Sequence, residues 1–432
     1  MADAQMPPGP ALPALIQTAL WFGWPVGFMD WCVRRYGDVF TLRLAPGPPM
    51  VMVSESSLVE QVLTLTEEAA SAGEENAVLA PLLGERSVLM LDGPDHVRQR
   101  RLMLPYFHGE RMRRQRDAMA AIVKSEVGRW PVDRPFPLLP RMRAITFEVI
   151  LRVVFGLDDS ARLDQLRPSL IRLLEMGSAW MLVPALRRDL GPLSPWGRFV
   201  RLRARVAALL RDEIRERRKS DMRGADSVVD LLLDSMDDEE LVDALMTLLV
   251  AGHETTATSL AWCFELLLRR PDLVQRLRGE LSLGSTRLLD AVVRETLRLR
   301  PVFRYTSRRL RNPLVLGAYT IPSGVAVGAN IYLAHHRSDH YDDPDVFKPE
   351  RFLDGAPRSG TWVPFGGGIR RCLGASFATY EMGVVVRTVL EIAELRSASA
   401  RPERVKMHAI TLVPGHSARV VMEPRISESS AG

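Results

Sequence analysis

Phe365-Gly366-Gly367-Gly368-Ile369-Arg370-Arg371-Cys372-Leu373-Gly374 sets one cysteine behind a run of glycines and two arginines. A lone cysteine is ordinarily a small core residue, but the glycines change what this one can do. They let the backbone approach a flat ligand closely and aim amide N–H groups at a sulfur anion. Arg370, two residues before the cysteine, is placed to meet an anionic group on such a ligand. A phosphate-binding glycine loop would need Gly-Lys-Ser/Thr next, which is absent here. Ala375-Ser376-Phe377-Ala378-Thr379-Tyr380-Glu381-Met382 reads as the start of a helix, so Cys372 precedes a helix N-terminus. That position favours its thiolate.

Working back toward the N-terminus, the longest helical pattern begins near Asp237 or Asp238, with Glu240 adding acid to the first turn. It runs to Arg269-Arg270, where Pro271 stops it. About 30 residues at 1.5 Å each give roughly 45 Å, enough to cross a domain. Leu241, Leu245, Leu248, Leu249 and Gly252 follow one face, which is expected to be buried. In its middle lies Ala251-Gly252-His253-Glu254-Thr255-Thr256, a sequence costly for a buried helix because it weakens helix formation and demands polar partners. A packing glycine with satisfied hydroxyls explains this hexapeptide equally well. A zinc-protease helix is excluded, since the second histidine would have to stand where Ala257 is.

Two sparser signals flank these. Glu295-Thr296-Leu297-Arg298 places acid and base three apart on a helix, by itself an ordinary ion pair. His96 and Arg100 sit four apart on a helix opened by Asp92-Gly93-Pro94-Asp95, where a surface histidine would be the plain reading.

Taken together and in this order, the motifs resemble those of the cytochrome P-450 superfamily. Phe365 to Gly374 fills every position of its haem loop: Phe, two residues, Gly, one residue, Arg, one residue, Cys, one residue, Gly. The resemblance extends from Arg34-Arg35-Tyr36-Gly37-Asp38 to the C-terminal strands; only the segment from Arg278 to Leu289 looks short. It implies haem b as cofactor, with Cys372 as the axial ligand of the iron. Phe365, Gly366, Gly374 and Ala251 would lie against the haem. His96, Arg100 and Arg370 would meet its propionates, joined by one arginine after Pro301: Arg308 matches best, with Arg304 and Arg309 as rivals. Glu295 and Arg298, with Arg351 of Phe347-Lys348-Pro349-Glu350-Arg351-Phe352, would form a buried ionic network beneath the loop. Glu254 and Thr255 would be the acid–alcohol pair of oxygen activation, and Gly252 would leave room for dioxygen.

The same resemblance implies a mainly α fold with small peripheral β-sheets, one large domain spanning 1–432, and a long central helix crossing the haem. Strand-like runs at Val39–Leu44, Met50–Val53, within Leu314–Val327 and within Ala409–Val421 agree with it. The 432-residue chain is 47% hydrophobic and 25% charged, enough apolar material for a sizeable core. A net charge of +5 is too slight for nucleic-acid binding. Cys32, Cys263 and Cys372, widely spaced and odd in number, argue against disulfides and structural zinc and for the cytoplasm. The apolar first 30 residues are broken by Pro13 and Pro25 and lack a basic start. They fit a segment packed on the protein or brushing a membrane, not a transmembrane anchor or signal peptide. The tail from Ser427 to Gly432 is expected to be disordered.

The activity implied is a monooxygenase: one atom of O2 enters a lipophilic small molecule, of fatty acid, terpenoid or steroid class, and two electrons come from outside. Val88, Leu89, Met90, Leu248, Val302, Phe303, Leu412 and Val413 are the candidate substrate pocket, with Trp180, Met181 and Leu182 in the lid region. No flavin fingerprint or iron–sulfur cysteine set is present, so a ferredoxin or flavodoxin with its reductase is the expected donor. Arg98, Arg101, Arg111, Arg113, Arg114 and Arg116 would form its docking surface on a monomeric enzyme. The alternative is a haem-thiolate gas or ligand sensor without turnover, which would not need Glu254-Thr255; a cofactor-free helical binding protein leaves the ordered motifs unexplained.

Overall fold

Asp237 caps the central helix, its side chain accepting the Glu240 N–H at 2.9 Å. The helix runs from Asp238 to Leu267. Its last turn ends at Leu268, and Pro271 opens the next helix, Pro271–Ser282. From Thr256 to Leu267 every residue is buried, so this half is hydrophobic all round and forms the middle of the core. In a computed structural model of the protein, the residues described are 6–107, 109–157, 160–176 (backbone only for 160–163), 187–191, 194–219, 227–355 and 359–424. Trp180, Met181, Leu182 and the Ser427–Gly432 tail lie outside them.

Helices pack round this axis. Leu139–Glu148 runs alongside it and continues into a π-helical turn, Val149–Val154, in which Phe155 N–H donates to Ile150 O at 2.9 Å. Arg287–Leu299 and Ala375–Ile392 cover the opposite side, and the amphipathic Pro195–Lys219 helix buries Phe199, Val206, Leu210 and Ile214. One apolar cluster joins these elements.

The β-structure is peripheral. Val39–Arg43 pairs antiparallel with Pro49–Val53, which pairs parallel with Ala326–Asn330. Tyr305–Leu310 and then Ala70–Ser71 complete a five-stranded sheet. Smaller sheets unite Phe136–Pro137, Arg419–Glu423 and Glu394–Ser397, then Val405–His408 with Thr411–Pro414, then Leu314–Leu316 with Tyr319–Ile321. Tyr305–Leu310 escapes the sequence pattern because one of its two buried positions is an arginine, Arg308, beside Leu310. The N-terminal segment forms two helices, Ala14–Gly23 directly after Pro13, and Gly27–Tyr36 after Pro25. Among the described residues no helix is long and apolar enough to cross a membrane.

Candidate functional site

The glycines of the Phe365–Gly374 loop answer a steric demand. Gly366 and Gly368 adopt φ of 64° and 61°, a region unfavourable for other residues. A Cβ on Gly368 would also stand 2.3 Å from the Leu63 carbonyl oxygen. The loop turns back on itself, the Cys372 N–H donating to Phe365 O at 2.9 Å. Gly374 then caps the Ala375–Ile392 helix, two residues after Cys372. Cys372 is exposed, yet burial by the protein on its other sides is the largest influence on its thiol and raises its pKa. The Gly374 hydrogen bond and the Arg100 and Arg371 charges oppose that rise. Both facts describe a sulfur on the wall of an interior cleft. Cys32 and Cys263 are different: buried thiols, each pushed up to about 12 by desolvation.

Beside the sulfur, cations from three parts of the chain converge. His96 is 2% exposed, its Nδ1 2.7 Å from Glu67 Oε1. Burial first, then Arg370, Arg100 and Arg308, lower its pKa to about 4 against the opposing pull of Asp92. Arg370 meets Glu67 at 2.8 Å, bonds Asp92 and donates to Leu91 O at 2.5 Å, while its Nε is buried without a hydrogen-bond partner. Among the described residues Arg308, 5% exposed, donates only locally, to Ser307 O at 2.8 Å and Thr306 Oγ1 at 3.1 Å. Burial and the Arg370 charge bring it down to about 10. Its rivals are engaged elsewhere. Arg304 donates to Trp21 O and Pro25 O and lies 3.8 Å over the Trp21 ring; Arg309 pairs with Glu75 and donates to Gly324 O.

Glu295 and Arg298 are fully buried on the Arg287–Leu299 helix, joined by contacts of 2.7 and 2.8 Å. Glu295 Oε1 also accepts from Arg351 Nε at 3.1 Å and Lys348 N–H at 2.9 Å. Arg298 spends its remaining donors on the carbonyls of His335, Pro344 and Val346. His335 completes the assembly: its Nδ1 lies 3.1 Å from Arg298 O and its Nε2 accepts Val363 N–H at 2.8 Å. Burial and the Arg298 charge hold this histidine far below its ordinary pKa, as a neutral spacer between the network and Val363, two residues before the Phe365–Gly374 loop.

The central helix shows one open face. Ala251 is exposed and Leu248, Gly252 and Thr255 are half-buried, while turns on either side are buried. Thr255 Oγ1 donates to Ala251 O at 2.5 Å. Glu254 is clasped by Arg143 of the neighbouring helix through contacts of 2.7 and 2.5 Å. His253 is buried against Phe147, its Nδ1 3.0 Å from Thr146 Oγ1. Gly252 lets a neighbour approach closely: a Cβ there would stand 2.6 Å from Ile150 Cδ1 in the π-helical turn Val149–Val154.

Val88, Leu89, Met90, Leu248 and Val413 join one apolar cluster with Phe365. Val302 is tied by its carbonyl to Leu412 N–H at 2.8 Å, and Phe303 is half-buried. Leu412 turns the other way from Val413, as strand alternation requires, and lines a separate cleft with Val26, Trp262 and Tyr332. Of the basic cluster, Arg101, Arg113, Arg114 and Arg116 are exposed, Arg111 is half-buried, and Arg98 bonds Glu240 of the central helix. Glu67, Asp92, Arg143 and His335 were not singled out from sequence. Each is an ordinary residue whose importance arises from a distant partner; only Asp92, the helix opener, carried a local signal.

An exposed sulfur ahead of a helix N-terminus, a half-open helix face, and a nest of arginines whose buried Arg370 Nε has no hydrogen-bond partner among the described residues fit a flat, dianionic macrocycle bound through its metal. A mainly α fold with such a site defines a haem-thiolate protein. The family model for cytochrome P450 matches residues 7–417. The Mycobacterium tuberculosis protein with the provisional name cytochrome P450 135B1 is 38% identical over 96% of this chain and 91% of its own. The provisionally named cytochrome P450 138 of the same organism is 38% identical over 91% and 90%. The retinoic-acid-bound cyanobacterial CYP120A1 superposes with a TM-score of 0.85 at 25% identity, covering 98% of this chain and 100% of that one. CYP175A1 from Thermus thermophillus gives 0.77 at 26% identity, covering 95% and 98%. This chain belongs to the cytochrome P450 family. It is a haem-binding monooxygenase that takes O2, a substrate and electrons from a redox partner.

Proposed function

We propose that the chain, as one domain and a monomer, hydroxylates a lipophilic small molecule with electrons from a ferredoxin or flavodoxin. The exposure of the Cys372 sulfur, at the end of a loop closed by Cys372 N–H to Phe365 O and just ahead of the Ala375–Ile392 helix, carries the assignment of Cys372 as iron ligand, because a helix N-terminus favours the thiolate that binds the metal. His96, Arg100, Arg308 and Arg370 hold the propionates. Arg308 is supported over Arg304 and Arg309 by its lack of any carboxylate within ion-pair range among the described contacts. Glu295, Arg298 and Arg351 keep the loop beneath in place.

Haem held by these residues would supply dioxygen activation, in which two electrons from the redox partner and two protons would reduce one oxygen atom to water while the other enters the substrate. The protein's part is proton delivery and exclusion of bulk water. Thr255, on the open helix face, releases Ala251 O and turns its hydroxyl toward the cleft. Glu254, reachable from solvent at 24% side-chain exposure, passes protons inward while Arg143 fixes its carboxylate. The apolar set Val88, Leu89, Met90, Leu248 and Val413 supports a lipophilic substrate of the fatty acid, terpenoid or steroid class; the retinoic acid held by CYP120A1 is a ligand of that character. Val302, Phe303 and Leu412 have less support as lining. The three widely spaced cysteines agree with a cytoplasmic enzyme.

The test is spectral titration of the purified holoprotein with a lipophilic library, beside Cys372→Ser. The reduced carbon monoxide complex should show the red-shifted band of thiolate ligation, lost in Cys372→Ser. A band surviving that change would remove Cys372 from its role.

A further inference from the structure

The helix Ala14–Gly23 is mounted inside out. Its buried side chains are Gln17 and Trp21, whereas Leu15 is 75% exposed, Ile16 47% and Phe22 42%. Gln17, fully buried, donates to Pro10 O and Leu12 O and accepts Arg43 N–H at 2.9 Å. Thr18 accepts Ala45 N–H at 2.8 Å. The polar residues therefore stitch the helix to the strand Val39–Arg43 and its turn, leaving the apolar residues to water, with Leu12 at 37% and Trp24 at 51% exposed beside them. Isolated exposed apolar residues need no explanation, but a contiguous patch marks an interaction site. The mounting is rigid. Arg304, buried just before the strand Tyr305–Leu310, bonds Trp21 O and Pro25 O and stacks on the Trp21 ring.

Charge identifies the occupant. Residues 4–29 contain no Asp, Glu, Lys, Arg or His, and neither do residues 44–53, which include the exposed turn 46–49. At the margins stand exposed Arg34, Arg35 and Arg43. The nearby acids face inward, Asp30 accepting from Tyr332 and Asp38 from Ser54 and Arg337. An uncharged apolar face bearing Trp and Phe, bordered by arginine, matches a bilayer with anionic headgroups: the rings and aliphatic groups enter the acyl boundary and the guanidinium groups meet phosphate. A helix of 10 residues is too short to span, so it lies in the surface plane.

We propose that the face formed by Leu12, Leu15, Ile16, Phe22 and Trp24 docks the protein on an anionic lipid bilayer without crossing it. The test uses holoprotein and flotation with vesicles of phosphatidylcholine alone or mixed with phosphatidylglycerol. Mixed vesicles should capture the protein more strongly than pure phosphatidylcholine. Leu15→Glu with Phe22→Glu should lower that partition by about tenfold or more, while Leu283→Glu, at an exposed site elsewhere, leaves it unchanged. An unaltered carbon monoxide band certifies the fold of each variant. The conservative Trp24→Phe gives an independent arm: brominated lipids should quench fluorescence of the parent, and the variant should lose that quenching. Failure to bind either vesicle at low salt overturns the proposal, as does equal binding by the double variant. So does a concentration-dependent dimer that the same changes abolish, which would give this face to a second copy of the chain.

Discussion

Arg143 clasps Glu254 through its Nε and Nη2, one to each carboxylate oxygen, so the acid beside Thr255 has a fixed direction and a cation beside it. Nothing around Arg143 in the sequence announces this. It lies on another helix, in a stretch that reads as ordinary amphipathic helix, and acquires meaning only when Leu139–Glu148 packs along the central helix. Removing it by Arg143→Ala should lower turnover by about tenfold, within the range of proton-transfer contributions, with haem content and substrate affinity unchanged. Stopped-flow kinetics with spectral titration separate the two. Thr255→Ala should retain haem but divert reducing equivalents to peroxide, measured as product formed per electron consumed. Normal coupling there would contradict a relay through this hydroxyl. Gly252 likewise gains a partner only in the fold, since a Cβ there would collide with Ile150 of the adjacent π-helical turn.

At the scale of elements, the Ala375–Ile392 helix presents the thiolate at its N-terminus and carries a hidden acid further along. Glu381 is fully buried, with Oε1 lacking a hydrogen-bond partner, and desolvation raises its pKa far above the ordinary carboxylate range. A carboxyl group kept protonated in the folded state is ionised more readily in the unfolded chain. Its contribution therefore weakens stability as pH rises from the unfolded pKa, about 4.3, toward the folded one. Glu381→Gln should remove that loss and raise the denaturation midpoint at neutral pH relative to its effect at pH 4. The opposite sign holds for His253, lowered to about 3 by burial and then Arg143. Neutral in the fold, it contributes stability above about pH 6.5 that disappears as acid forces it to charge. The boundaries of both helices were legible from local chemistry, Asp237 and Pro271 for one and Gly374 for the other. The depth at which each side chain sits was not, because burial is set by neighbours remote in sequence.

For the molecule as a whole, electrons must enter across its surface. The exposed Arg113, Arg114 and Arg116 lie on consecutive short helices after the His96 helix. Reversing their charge should slow reduction by an acidic ferredoxin by about tenfold or more at low ionic strength, and flatten its salt dependence. Unchanged rates would assign these residues to a merely solvated face. Arg98 is less suited to that role than its sequence position suggested, since it reaches inward to Glu240.

Local sequence by itself determined the glycine-bearing cysteine loop, the long capped helix and the order of the motifs, because steric demand, capping and helical period act over a few residues. It also held the pair Glu295 and Arg298, one helical turn apart. Only the tertiary structure decided which arginines gather near His96, which base meets Glu254, what His335 bonds, and which way the first helix faces. Those are matters of partnership between distant segments. A charge or an apolar side chain has no fixed value until the fold settles whether water, protein or an opposite charge lies beside it.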